Sequence, residues 1–104
     1  MAERLAAAQA MMDSGRARRA EPLYRLVLRA DPDNLDGWRG LGHASVRLRR
    51  GRQAIRAYEQ YLRRAPGATD AAEIRERLRR LRESEARGGR AGGAEGAESG
   101  AAQE

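Results

Sequence analysis

A period of 34 residues constrains this chain more tightly than anything else in it. Trp38, Leu41, Gly42, Ala54, Tyr58 and Pro66 stand at the spacing W-x2-L-G…A-x3-aromatic…P. A shift of 34 residues pairs Ala20 with Ala54, Tyr24 with Tyr58, Leu28 with Leu62, Pro32 with Pro66 and Asp36 with Asp70. Coincidences of Ala and Arg carry little weight in a chain so rich in both, whereas the Tyr, Leu and Pro matches carry more. Self-similarity at such a period implies stacked copies of one supersecondary unit, each burying its apolar face against its neighbours.

Apolar spacing predicts helices over roughly 2–13, 18–30, 35–48, 52–64 and 71–86. Gly15 can supply the positive φ that ends the first. Pro22 is expected in the first turn of the second, where backbone donors are unpaired anyway. Asp31-Pro32-Asp33-Asn34 stops that helix and offers Asp33 or Asn34 as the next cap. The third helix holds Gly37, Gly40 and Gly42, each costing about 1 kcal/mol against Ala in a helix interior. Gly42 would let the paired helix approach closely, and Gly40 is read only as an opening. Asp70-x-x-Glu73 has the form of a capping box for the fifth helix. There Ile74, Leu78 and Leu81 make a narrow stripe backed by Arg75, Arg77, Arg79, Arg80 and Arg82, as a helix sealing the end of a stack requires.

These residues resemble the tetratricopeptide repeat family, with units over 1–34 and 35–68, a capping helix over 69–87 and a tail over 88–104. The resemblance implies an all-α fold, a right-handed superhelical stack of antiparallel helix pairs, about five helices in all. It also implies a non-catalytic scaffold for protein–protein interaction. Some positions depart from the family pattern. Arg4, Ala7 and Ala8 stand where the second unit has Trp38, Leu41 and Gly42. Ser45 replaces the usual aromatic, and Arg49 falls where Gly15 predicts glycine, the nearest being Gly51.

A length of 104 residues holds one small domain. The absence of Cys removes disulfides, thiolate metal sites and a Cys nucleophile. No run reaches the roughly 20 apolar residues of a membrane span, and the N-terminus has no signal-like core, so a cytoplasmic protein is expected. All 21 basic residues are Arg, a bias that a GC-rich bacterial genome produces without selection for anion binding. The net charge of +6 still attracts anions. The tail contains one Arg and three Glu with no large apolar residue, and is expected to be disordered.

In the family, the first helix of each unit lines a concave groove. Carried over, the groove candidates are Gln9, Met12, Arg39, His43, Val46, Arg47 and Arg77, with Leu5, Gly40, Glu73 and Ile74 beside them. Such a set suits a peptide or partner protein carrying acidic groups next to apolar ones. The three arginines would meet carboxylates, Met12 and Val46 apolar groups, and Gln9 the peptide backbone. The family's two-carboxylate clamp is not present, because Leu5, Gln9, Gly40, Asp70 and Ile74 occupy its positions. His43 is the sole His and has no partner set for a metal site or a triad, so no cofactor and no catalytic residue is expected. The alternative is sequence-independent nucleic-acid binding through Arg75, Arg79, Arg80, Arg82 and the Arg49-Arg50-x-Arg52 turn. It is disfavoured because no aromatic residue interleaves those arginines to stack on bases. Two repeats are few for a continuous core, which leaves self-association open.

Overall fold

The computed structural model describes residues 2–88. Among them are five helices: α1 Ala2–Asp13, α2 Ala17–Ala30, α3 Leu35–Arg47, α4 Gly51–Arg64 and α5 Ala71–Gly88. Each helix packs on the next, and α1 also touches α3. The result is an all-α stack of two helix pairs closed by α5. The tail expectation falls outside the described residues, apart from Gly88, which closes α5.

The two inter-helix turns repeat at the level of the backbone even where the side chains do not. At the first, the Gly15 N–H donates to the Met12 carbonyl at 3.0 Å and the Arg16 N–H to the Met11 carbonyl at 2.7 Å. At the second, Arg49 donates to Val46 at 3.1 Å and Arg50 to Ser45 at 2.8 Å. This pair of bonds is a Schellman closure, which puts its penultimate residue in the left-handed region. Gly15 has φ +77° and Arg49 φ +60°. A side-chain-bearing residue there costs about 1–2 kcal/mol, offset in this turn by the two hydrogen bonds. Gly51 therefore has another role. It opens α4, where a Cβ would overlap the Glu85 carboxylate of α5.

Two local expectations are corrected. Helix α2 begins at Ala17, so Pro22 lies in the second turn and removes a bond to the Arg18 carbonyl. Both residues are exposed, and water can take the place of the missing donor. Asp70 does not form the capping box. Its carboxylate accepts from the Tyr61 hydroxyl at 2.6 Å and from Arg39 at 3.3 Å, while Glu73 pairs with Arg77. The side chain thereby ties α5 to α3 and α4 rather than to its own first turn. At α3 the cap is Asn34, whose side chain accepts from the Gly37 N–H at 2.8 Å.

The core is built around two tyrosines related by the repeat. Tyr24 gathers Ala8, Met12, Leu41 and Ala44 around it, and Tyr58 gathers Tyr61, Ile74 and Leu78, with Trp38 packed against both groups. Ser45, standing in place of an aromatic, is fully buried. Its hydroxyl donates to the Leu41 carbonyl at 2.6 Å and accepts from Gln53 at 2.8 Å. Gln53 also donates to Glu21, which accepts from Arg50 at 2.6 Å. A polar chain anchored on buried Ser45 and Glu21 thus fastens α2 to α4 where an aromatic side chain would otherwise fill space.

Burial alone would push the Glu21 carboxyl up, but hydrogen bonds from Arg50 and Gln53 and the charges of Arg50 and Arg25 outweigh it and hold the pKa below the usual glutamate value of 4.5. A depressed carboxylate contributes stability above its unfolded pKa, and that contribution is lost as pH falls through the folded one. Glu21→Gln is therefore expected to lower the urea midpoint at neutral pH, with the gap from wild type narrowing below about pH 4.5. Midpoints measured across that range decide the matter; a constant gap would show that the charge of Glu21 contributes nothing.

Candidate functional site

Helices α1, α3 and α5 enclose an open cleft of about 540 Å³. Its floor is made by Tyr24 and Tyr58, whose rings lie where Cβ atoms of Gly40 and Gly42 would project. Gly40 is thus a seat for Tyr24, not an opening. All seven groove candidates, Gln9, Met12, Arg39, His43, Val46, Arg47 and Arg77, line this one cleft. Leu5 joins them at its edge. Ile74 does not: it is 1% exposed, inside the core with Tyr58 and Tyr61.

The three arginines are not equivalent. Arg39 donates to Asp36 at 2.6 Å, to Asp70 at 3.3 Å and to the Tyr61 hydroxyl at 3.4 Å, and lies over the Tyr61 ring. Arg77 holds Glu73 at 2.9 Å. Arg47 donates to the Met12 carbonyl at 2.8 Å, near the end of α1, and has no carboxylate partner among the described residues. It is oriented by one bond and keeps its remaining donors. Arg39 thus ties α3 to Asp70 at the start of α5, and a ligand carboxylate would have to compete with Asp36 and Asp70 for it.

The other polar groups have defined states. The Nδ1 of His43 is 2.7 Å from the Tyr58 hydroxyl, with the rings edge to face. Burial, then the nearby charges of Arg77 and Arg39, push the His43 pKa down, so the imidazole is neutral at neutral pH. Burial pushes the Tyr58 phenol up to about 12. Gln9 donates to Asp13 at 3.1 Å on the rim. Tyr24 is 2% exposed, yet its hydroxyl has no hydrogen-bond partner among the described residues. Burial and the Asp13 carboxylate raise its pKa, so it stays a neutral phenol able to donate. Repeat spacing pairs Tyr24 with Tyr58 but does not show that both, besides belonging to the core, also floor the cleft. The signal was present in the glycines one helix away.

The arginines of the nucleic-acid alternative are mostly held by the fold itself. Arg79 and Arg80 clamp Glu76, holding its carboxyl down at about 2, and Arg79 also binds Glu83. Arg82 pairs with Glu59, Arg50 with Glu21, Arg52 approaches Glu85 at 3.8 Å, and Arg75 donates to the Pro66 carbonyl. Among the described residues no helix is long and apolar enough to cross a membrane.

Antiparallel helix pairs repeated at 34 residues, sealed by a fifth helix and cleft along the first-helix face, define a helical-repeat scaffold. The family model described as "Tetratricopeptide repeat" matches residues 11–78, more than half of the chain, and the chain belongs to that family. Its members generally act as scaffolds for protein–protein interaction. No curated protein and no solved structure was found to match the chain.

Proposed function

We propose that the protein is a non-catalytic adaptor that holds an extended segment of a partner protein in the cleft between α1, α3 and α5. The observation that carries this reading is the pairing of Arg47, a guanidinium without a carboxylate, with the buried and unpartnered Tyr24 hydroxyl in the same cleft. Tyr24 lines that cleft as a neutral phenol, a donor that a peptide carbonyl can accept from. Arg47 supplies the charged contact for an acidic side chain or terminus. Val46, 36% exposed at the cleft edge, supplies an apolar one.

The test is affinity capture from nuclease-treated lysate with wild type and Arg47→Glu, read by mass spectrometry. Arg39 is left intact because its replacement would unpair Asp36 and Asp70. A protein retained by wild type and lost by the variant, with the variant's melting temperature unchanged, is the expected result. Captured proteins that are indifferent to Arg47 would place the interaction elsewhere and overturn the reading.

A further inference from the structure

Helix α3 has a second working face. Trp38 and Leu41 leave it on the side away from the cleft and, with Leu28 of α2 and Ala57 of α4, floor a depression of about 380 Å³ between α2 and α4. Its rim is basic. Arg29 of α2 and Arg56 of α4 border it, and neither has an intramolecular partner among the described residues. That contrasts with α5, where Arg77, Arg79, Arg80 and Arg82 are each matched by a glutamate. An apolar floor between two unmatched guanidinium groups calls for a ligand that is apolar at its centre and anionic at its flanks.

We infer that this depression is a second docking site, taking an acidic segment of a partner protein that seats one large aliphatic side chain between carboxylates. Charge complementarity fixes the flanks, since Arg29 and Arg56 each offer paired donors that match a carboxylate's geometry. The floor fixes the centre, because an apolar side chain entering it removes the surfaces of Trp38, Leu41 and Leu28 from water. A nucleic acid fits less well. The Trp38 indole N–H is already bonded to the Pro32 carbonyl at 2.7 Å, and the Arg64 guanidinium lies 5.4 Å from the ring centroid, over its face. One face of the ring is thus already covered, which leaves Trp38 at most its other side to offer a base. The site is independent of the cleft and does not rest on its proposed function.

Trp38 is the sole tryptophan and lines this depression but not the cleft, so its emission responds most directly to a ligand seated here. The full chain is titrated with three short capped peptides of one pattern, Glu/Leu, Glu/Ser and Lys/Leu, and with oligothymidylate. The Glu/Leu peptide is expected to change Trp38 emission saturably, and the other three are not. Arg29→Gln/Arg56→Gln is expected to weaken it about tenfold, roughly 1.4 kcal/mol. The same change at Arg4 and Arg87, which also lack partners among the described residues, is expected to leave it unaltered. Because Arg29 and Arg56 make no bonds to other described residues, their replacement is expected to shift the melting temperature little. Four outcomes overturn the inference: no saturable response to Glu/Leu, equal loss in both double variants, comparable binding of Lys/Leu or oligothymidylate, or a Trp38 shift that follows protein concentration alone. The last would assign the depression to a second copy of the chain.

Discussion

Ile74→Ala is expected to destabilise the protein by about 2–5 kcal/mol, the range for truncating a buried Ile with incomplete collapse around the cavity. Ile74 is 1% exposed and sits between Tyr58 and Tyr61, with Leu78 one turn beyond it. The position is severe because α5 has so little else: of its apolar side chains, Ala71, Ile74 and Leu78 are buried and Leu81 only partly. Domains of this class have about 5–15 kcal/mol in total, and small ones fall toward the low end. Loss of Ile74 also loosens the hold on Asp70, through which α5 is bonded to Tyr61 and Arg39. Urea unfolding followed by far-ultraviolet ellipticity gives the magnitude, with Leu81→Ala as the milder comparison. A change under about 1 kcal/mol at Ile74, within the range of surface substitutions and small repackings, would mean that α5 is not part of the cooperative unit.

What was legible in the sequence was what repeats locally. Helix positions follow from apolar spacing, and the cleft residues follow from it too, since residues at helical spacing share a face whatever their chemistry. This is why Gln9, Met12, Arg39, His43, Val46, Arg47 and Arg77 come together. Their partners were less accessible. The Arg77–Glu73 pair is one helical turn long and could be read directly. The Arg47 bond to the Met12 carbonyl and the Arg39 bond to Asp70 span more than 30 residues and depend on how the helices dock. A similar distance, 32 residues from Gln53 to Glu21, hid the link that completes the Ser45–Gln53–Glu21 chain, where a missing aromatic looked like a weak match and is instead a substitution of one packing device by another. Arg49 escaped because hydrogen bonds across the turn, not the residue's own preference, set its backbone. Gly51 looked like a displaced turn glycine because its neighbour, Glu85, lies on another helix.

Gly42→Ala and Gly40→Ala test the least expected of these features, because two physical effects predict opposite signs. Helix propensity alone favours alanine by about 1 kcal/mol at each position. Packing opposes it. A Cβ on Gly42 would overlap ring carbons of Tyr58, and one on Gly40 would overlap those of Tyr24. These are rigid rings, 0% and 2% exposed, not the ends of flexible chains. Forcing a methyl group into such a contact costs about 1–3 kcal/mol, and Tyr58 can retreat only by leaving His43, 2.7 Å from its hydroxyl. Both variants are therefore expected to be less stable than wild type. Gly67→Ala, in the turn between α4 and α5, is the control for adding a methyl group where it meets nothing, since a Cβ there has no atom within 4 Å and its φ is not positive; it is expected to be neutral or slightly stabilising. Unfolding midpoints of the three variants separate the effects, and a rise at Gly42 or Gly40 would mean that the tyrosines move without cost. The readout extends to function because the same rings floor the cleft. A tyrosine displaced from its glycine seat changes the floor of the cleft, so under the proposed function Gly40→Ala is expected to lose captured partners in step with Arg47→Glu while keeping Arg47 itself.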